Sequence, residues 1–138
     1  MAKQGFTLIE LMLVVIIIGV LSAMVVPRLV GRSEQARIAA AKADIESNLS
    51  VALDLYELDN GTYPADLEGL MRQPSPAPPN WNGPYIKKKP KDPWGEQYYY
   101  KFPGEHNKDS YDLASYGKDK VAGGGDDVTN WEESQTEQ

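Results

Sequence analysis

Cysteine is absent from this chain of 138 residues, and histidine occurs once. These absences exclude disulfides, a zinc–thiolate site, a cysteine nucleophile and any mechanism that needs two histidines. Basic residues are few, since 14 Lys and Arg face 20 Asp and Glu to give a net charge of −6. The chain therefore lacks the basic surface of a nucleic-acid-binding protein. It also lacks a phosphate-binding glycine loop and a dinucleotide fingerprint, so we expect that it is not an enzyme.

Apolar residues are concentrated near the N-terminus, so the mean hydropathy of −0.48 averages two dissimilar parts. No charged residue occurs in Leu11–Pro27, and the longer stretch Phe6–Pro27 contains one, Glu10. A helix over the longer stretch measures about 33 Å at about 1.5 Å per residue, close to the thickness of a bilayer core. We therefore predict a transmembrane helix over residues 6–29.

A buried core helix and a cleaved secretory signal fit the apolar stretch less well than a membrane span. A core helix needs a surrounding domain, and the small polar remainder of the chain cannot enclose a helix that is apolar on all sides. A secretory signal needs small residues before the cut, whereas the best site places Leu21 two positions before Ala23. Neither accounts for Glu10, because a carboxylate in a membrane segment is costly unless it is paired. Its partner must come from another subunit or from an N-terminal amine.

The residues around Glu10 carry a family resemblance. The segment Gly5-Phe6-Thr7-Leu8-Ile9-Glu10, followed by the apolar run, resembles the class III signal of type IV pilins and pseudopilins. The resemblance implies a leader over residues 1–5, cleavage between Gly5 and Phe6 by a membrane prepilin peptidase, and N-methylation of Phe6. It also implies that Glu10 neutralises the Phe6 amine of a neighbouring subunit during assembly. A buried carboxylate and a buried ammonium are each costly alone and tolerable together.

The orientation in the membrane follows from this resemblance, because the charges conflict. Lys3 on one side favours a cytoplasmic N-terminus, whereas Arg28, Arg32 and Arg37 on the other side favour the reverse. The resemblance implies a single-pass protein of the bacterial inner membrane, with residues 30–138 forming a periplasmic head.

An amphipathic helix is predicted over residues 30–58. Its apolar positions recur at spacings of three and four residues, which places them on one face of a helix that packs on the head. These positions are Ile38, Ala41, Ile45, Leu49, Ala52 and Tyr56. The pair Asn60-Gly61 is a typical helix stop.

The remainder of the head, residues 59–131, is predicted to be a small loop-rich sheet domain. We expect a short helix over Asp66–Met71 and strands over Gln97–Phe102 and Ser110–Ser115, joined by a hairpin turn at residues 104–107. The acidic tail, residues 132–138, is expected to fray. The fold class is thus α+β, with a long N-terminal helix on a small antiparallel sheet.

A glycine- and aspartate-rich segment near the C-terminus could bind a metal. Three carboxylates, those of Asp119, Asp126 and Asp127, can converge if the glycines at 123–125 let the loop fold back. Carboxylate and carbonyl oxygens at flexible geometry suit Ca²⁺. The spacing does not match the EF-hand loop, and the pattern alone leaves a solvated acidic loop as the alternative.

A second resemblance is narrower than the first and, together with it, extends from Gly5 to Trp131. The chain resembles the major pseudopilins of type II secretion in a series of head motifs: Asp92-Pro93-Trp94-Gly95, Tyr98, Tyr100, Pro103-Gly104, Tyr111-Asp112-Leu113, Ser115, Gly117, Asp119, Asp127-Val128 and Asn130-Trp131. The resemblance implies a pilin-like fold and a calcium site that staples the C-terminal loop. The implied ligands are the side chains of Asp119, Asp126 and Asp127 and the backbone carbonyls of Tyr116 and Val128. Many members have glycine at the position of Lys120, whose charge beside the site is expected to weaken binding.

The function implied by the resemblance is that of the major structural subunit of the type II secretion pseudopilus, a periplasmic filament that drives export of folded proteins through the outer membrane. The implied partners are further copies of the chain, minor pseudopilins, the prepilin peptidase, and the inner-membrane secretion platform with its ATPase. Three alternatives remain: a type IV pilin for adhesion or motility, a minor pseudopilin, and a membrane-anchored calcium-dependent binding module. The absent cysteines disfavour the first, because such pilins usually close a C-terminal loop with a disulfide.

Two polar features outside these motifs are predicted to lie at the surface. The lysine segment, defined as Lys87, Lys88, Lys89 and Lys91, fits a solvated turn or a contact with an acidic patch on the next subunit. His106 lies in a polar turn, where we expect it to be exposed. The aromatic run Tyr98–Tyr100 is expected to pack within the sheet.

Overall fold

The computed structural model describes Met1 and residues 5–132, with residues 26–30 described by their backbone alone. The predicted acidic tail beyond Glu132 and most of the predicted leader lie outside the described residues. Contacts divide the chain into two compact units, Met1–Ala36 and the part from Arg37 onward. The first unit is helical, and the second contains the end of that helix, a second helix and the sheet.

The first helix, α1, runs over Leu8–Ala43 and contains the predicted membrane segment. Its window Leu8–Val25 has a mean hydropathy of 2.8, and none of that window is buried within the chain. By length and composition, this one helix among the described residues could cross a membrane. An apolar helix with no protein around it needs lipid or other subunits to cover its side chains.

The helical path of the second unit contains a short π-helix that the sequence did not reveal. After α1, the π segment occupies Asp44–Asn48, and α2 follows over Leu49–Asn60. The N–H of Leu49 donates to the carbonyl of Asp44, which is the five-residue bond of a π-turn. As predicted, α2 ends before Gly61, which adopts φ +76° as the left-handed residue after the helix.

The amphipathic face was predicted correctly. Of the six predicted positions, five are buried and Ile38 packs against them, and Leu53 joins the same core. Opposite the helix, the core is completed by apolar and aromatic side chains of the sheet and its flanking loops, which are Leu70, Tyr98, Tyr111, Leu113 and Val128. All of these residues belong to the second unit, so the head has a core of its own.

The sheet has three antiparallel strands in the order β1 (Tyr99–Lys101), β2 (Asp112–Ser115) and β3 (Val128–Thr129). Both predicted strands are present, each shorter than expected, and β3 was not predicted. Tyr100 pairs with Leu113 between β1 and β2, and Ser115 pairs with Val128 between β2 and β3. The second pairing brings the two ends of the aspartate-rich loop together.

The short helix predicted over Asp66–Met71 is present as a 3₁₀-helix, Leu67–Leu70. The Asp66 carboxylate accepts a hydrogen bond from the N–H of Gly69 at 3.1 Å, so Asp66 is its N-cap. Leu70 is fully buried in the core. The helix thus anchors the start of the proline-rich segment that follows it.

Candidate functional site

The N-terminal motif begins α1 with a capped turn. The N–H of Glu10 donates to the Thr7 hydroxyl at 3.3 Å and to the Thr7 carbonyl at 3.1 Å. Thr7 therefore lies at the N-cap, three residues before an acidic residue, as in a capping box. The position of Glu10 in the first turn also places its charge favourably against the helix dipole.

The side chain of Glu10 is exposed and has no ion pair within the described part of the chain. It lies in the first turn of the apolar window Leu8–Val25, where an unpaired carboxylate is unfavourable in a membrane. Gly5 and Phe6, the predicted cleavage pair, precede the helix and are exposed. Their accessibility is compatible with processing, while the cleavage itself remains a prediction.

The C-terminal loop folds back in the manner that its glycines allow. Gly117, Gly123 and Gly125 have φ values of +68°, +82° and +87°, a region that side-chain-bearing residues rarely adopt. A Cβ at Gly124 would overlap the Asp119 carboxylate, and one at Gly117 would overlap Asp126. Glycine at these positions thus permits the backbone to approach the carboxylates closely.

The loop brings the three predicted aspartates together. One oxygen from each carboxylate of Asp119, Asp126 and Asp127 lies within 4.8 Å of the others. Backbone N–H groups orient them: Asp126 Oδ2 accepts from Lys118 at 2.7 Å and from Asp119 at 3.0 Å. Asp127 Oδ2 accepts from Gly123 at 2.7 Å.

The second oxygen of two of these carboxylates is buried without a hydrogen-bond donor. These orphaned atoms are Asp126 Oδ1 and Asp127 Oδ1. Buried oxygens normally have a partner, and three carboxylates this close repel one another. The N–H groups of Asp119 and Lys118 lower the pKa of Asp126, so this carboxylate stays ionised at neutral pH. An all-oxygen set with unsatisfied charge fits a hard divalent cation such as Ca²⁺.

Tyr116 and Val128, the predicted carbonyl ligands, lie at the two ends of the loop. Val128 pairs with Ser115, the residue before Tyr116, so both backbones run beside each other at the end of β2. Their roles as ligands remain predictions.

The Lys120 side chain has a partner outside the aspartate loop, and the expected weakening of metal binding by its charge stays a prediction. Its ammonium donates to Glu96 at 2.8 Å, and this contact raises the lysine pKa. The backbone of Lys120 has φ +62°, the left-handed region in which glycine is favoured.

From the sequence, we did not identify two buried carboxylates that hold turns of the head in place through hydrogen bonds. Asp92 accepts from the Ser115 hydroxyl at 2.6 Å and from the N–H of Glu96 at 2.8 Å, so it ties the turn before β1 to β2. Asp112 is fully buried and accepts from three consecutive N–H groups, those of residues 105–107. Both occur in motifs that carried the resemblance, but the sequence alone assigns them no contact.

Comparison with known proteins supports the resemblance over nearly the whole chain. Residues 28–131 match the family model described as Type II secretion system (T2SS), protein G, and residues 1–26 match the prokaryotic N-terminal methylation motif. A Type II secretion system core protein G from Pseudomonas aeruginosa is 47% identical, with 94% of this chain and 96% of that protein covered. The protein of the same name from Escherichia coli K12 is also 47% identical, over 94% of this chain and 91% of that protein.

A solved structure agrees with the fold. The crystal structure of the major pseudopilin from the type 2 secretion system of enterohaemorrhagic Escherichia coli matches with a TM-score of 0.63 and 37% identity. The match covers 78% of this chain and 96% of that one. The fold is therefore pilin-like, and the chain is a membrane-anchored, single-pass member of the type II secretion protein G family.

Proposed function

We propose that this chain is the major structural subunit of a type II secretion pseudopilus. The observation that carries the proposal is the exposed apolar window Leu8–Val25, which follows closely after the Gly5-Phe6 pair and has Glu10 in its first turn. Glu10 has no ion pair among the described residues. Such a helix is covered by lipid before assembly and by the helices of other copies afterwards. The type IV pilin alternative is not favoured, because the matching family model and relatives belong to type II secretion.

The same proposal includes the processing of the N-terminus and the orientation of the chain in the membrane. A prepilin peptidase cleaves between Gly5 and Phe6, and Phe6 becomes the methylated N-terminus. The helix then anchors the chain in the bacterial inner membrane, with the head in the periplasm. Minor pseudopilins and the inner-membrane platform with its ATPase are the proposed partners in building a filament whose growth exports folded proteins.

Glu10 is proposed to pair with the Phe6 amine of a neighbouring copy in the filament. Because the carboxylate has no ion pair in the described part of its own chain, a partner amine offsets its cost in an apolar environment. We expect Glu10→Ala to leave the protein in the membrane and to abolish filaments, as judged by electron microscopy of sheared material.

Glu46→Ala is the matched control, since this exposed glutamate lies on the head and its removal changes the net charge equally. The control should form normal filaments. Normal filaments from Glu10→Ala would contradict the pairing.

We further propose that the aspartate loop binds Ca²⁺. Asp119, Asp126 and Asp127 would hold it, with carbonyls of Tyr116 and Val128 completing the set. The two orphaned carboxylate oxygens support this proposal. The ion would supply the positive charge that three neighbouring carboxylates lack and would hold the loop in one conformation for subunit packing.

Calcium removal tests this proposal through stability. A ligand present at about 100 times its Kd stabilises a protein by about 2.7 kcal/mol, which shifts the melting temperature of a domain of this size by on the order of 10 °C. We expect a chelator to lower the melting temperature by this order and Asp119→Ala to remove the response to the chelator. Asp109→Ala, an exposed aspartate outside the loop, should retain the response. A melting curve that is indifferent to the chelator would refute the metal site.

A further inference from the structure

The head contains a groove that the hydrophobic core does not account for. Its volume is about 670 Å³, and it opens beside the aspartate loop. We call it the aromatic groove and define it by Tyr99, Tyr116, His106, Trp131, Glu105 and Glu132, which line it.

Two pairs of rings line the groove. The rings of Tyr99 and Tyr116 lie 5.8 Å apart, and those of His106 and Trp131 stack at 4.2 Å with an angle of 4° between their planes. His106 is further held by its Nδ1, which lies 3.0 Å from the buried Asp112 carboxylate. This contact with a buried carboxylate fixes the position of the stacked His106–Trp131 pair. His106 is half-exposed, as expected, but it has defined partners.

The charge of the groove is negative. Glu105 and Glu132 line it. Asp127 lies on the same wall, but its charge belongs to the proposed calcium site. Glu105 has a partner in Lys101, while Glu132 has no ion pair among the described residues. Aromatic faces beside carboxylates attract ammonium groups through cation–π contacts. The groove therefore fits a lysine-rich peptide segment.

The chain itself carries such a segment. None of the four side chains of the lysine segment is buried, and none has an ion pair in the described part of the chain. None of them lines the groove of its own subunit. The sequence beyond Glu132 carries further glutamates and no lysine, so its charge makes it a poor occupant.

We propose that the aromatic groove of one copy receives the lysine segment of another copy in the filament. This rests on the proposed filament function and adds the head contact to it. Because the two surfaces differ, the contact is head-to-tail, and a bound pair still has one free groove and one free lysine segment for further copies. Contacts of this kind build open polymers, whereas self-complementary contacts stop at dimers.

The absence of cysteine makes cross-linking a direct test. In the full chain, Lys88→Cys combined with Glu105→Cys places one thiol on each surface. Oxidation of filaments should then give a ladder of dimers, trimers and longer species. Lys88→Cys alone should give no species beyond a dimer. Arg72→Cys combined with Glu105→Cys is the matched control, because Arg72 is an exposed basic residue outside the lysine segment, and it should give no ladder.

Charge reversal supplies a second measurement. Lys88→Glu with Lys89→Glu should reduce filament yield at least several-fold, and adding Glu105→Lys with Glu132→Lys should restore it. Normal filaments without a ladder in the paired-cysteine chain would overturn the groove contact and leave the filament function intact. If the unsubstituted chain forms no filament, both proposals fail.

Discussion

Asp112 is a buried carboxylate whose hydrogen bonds hold a turn of the head in place. Its side chain is fully buried, and it accepts hydrogen bonds from the N–H groups of Glu105, His106 and Asn107 at 2.7, 2.9 and 2.9 Å. Burial raises the pKa of Asp112, but these N–H groups and the His106 ring together lower it below its ordinary value. The carboxylate therefore organises the connection between β1 and β2 as an ionised group.

Replacing Asp112 by Asn should destabilise the head strongly. The amide keeps the shape of the carboxylate but loses its charge, and its NH₂ group faces N–H donors. We expect a loss of about 3 kcal/mol in the free energy of unfolding, measured by urea denaturation. Asp109→Asn, an exposed change in the same connection, should alter it by less than about 0.5 kcal/mol.

The pH dependence of this contribution has a defined sign. A carboxylate whose pKa is lower in the folded state stabilises the protein above its unfolded pKa and loses that stabilisation as the pH falls through the folded value. The difference in stability between the unsubstituted chain and Asp112→Asn should therefore be full at about pH 6 and shrink below about pH 4. A difference that persists unchanged at about pH 2 would contradict an ionised Asp112.

At the scale of single residues, the sequence predicted which residues belong to a site better than it predicted their hydrogen-bond partners. The aspartates of the C-terminal loop could be singled out because glycines beside them permit a fold-back, and the loop does bring them together. Asp112 gave no such signal, because its partners lie in a turn whose conformation depends on the pairing of two strands.

At the scale of elements, α2 has apolar residues on both a buried side and an exposed side. Leu53 is fully buried against the sheet, whereas Val51, Leu55 and Leu58 are exposed on the other side of the same helix. The spacing of three and four residues predicts the buried side well. It does not reveal the π segment Asp44–Asn48, where the Asp44 carboxylate accepts a hydrogen bond from the buried Tyr98 hydroxyl at 2.7 Å.

Truncating Leu53 and Leu55 should lower the free energy of unfolding by different amounts. Leu53→Ala removes a buried side chain and leaves a cavity, so we expect a loss of about 3 kcal/mol in unfolding free energy. Leu55→Ala removes the same atoms from a side chain that is 47% exposed, and the loss should stay below about 1 kcal/mol. Equal losses, measured by thermal and urea unfolding, would show that the buried face has been assigned wrongly.

The sheet shows where prediction from the sequence ends. β1 and β2 contain enough aromatic and apolar alternation to be recognised, although both strands were predicted to be longer than they are. β3 has two residues and closes a long-range pair with Ser115, so no local pattern identifies it. Short strands of this kind are stabilised by their partners and by burial of a side chain such as Val128.

At the scale of the whole molecule, one chain contains two compact units with different requirements. The unit Met1–Ala36 exposes its apolar side chains from Phe6 to Val25, whereas the part from Arg37 onward encloses its own core. The mean hydropathy of the chain therefore describes neither unit. Membrane anchoring belongs to the first unit, and the aspartate loop belongs to the second.

This division predicts that the head folds alone. Because every core residue lies at or after Ile38, a chain that begins at Arg37 keeps the whole core. We expect it to be soluble and monomeric by light scattering, and to retain a chelator-sensitive melting transition, since the aspartate loop is intact. It should not form filaments, because it lacks Phe6, Glu10 and the apolar helix. Filaments from this truncated head would show that head contacts alone suffice for assembly, and a head that fails to fold would show that α1 before Arg37 is part of its stability.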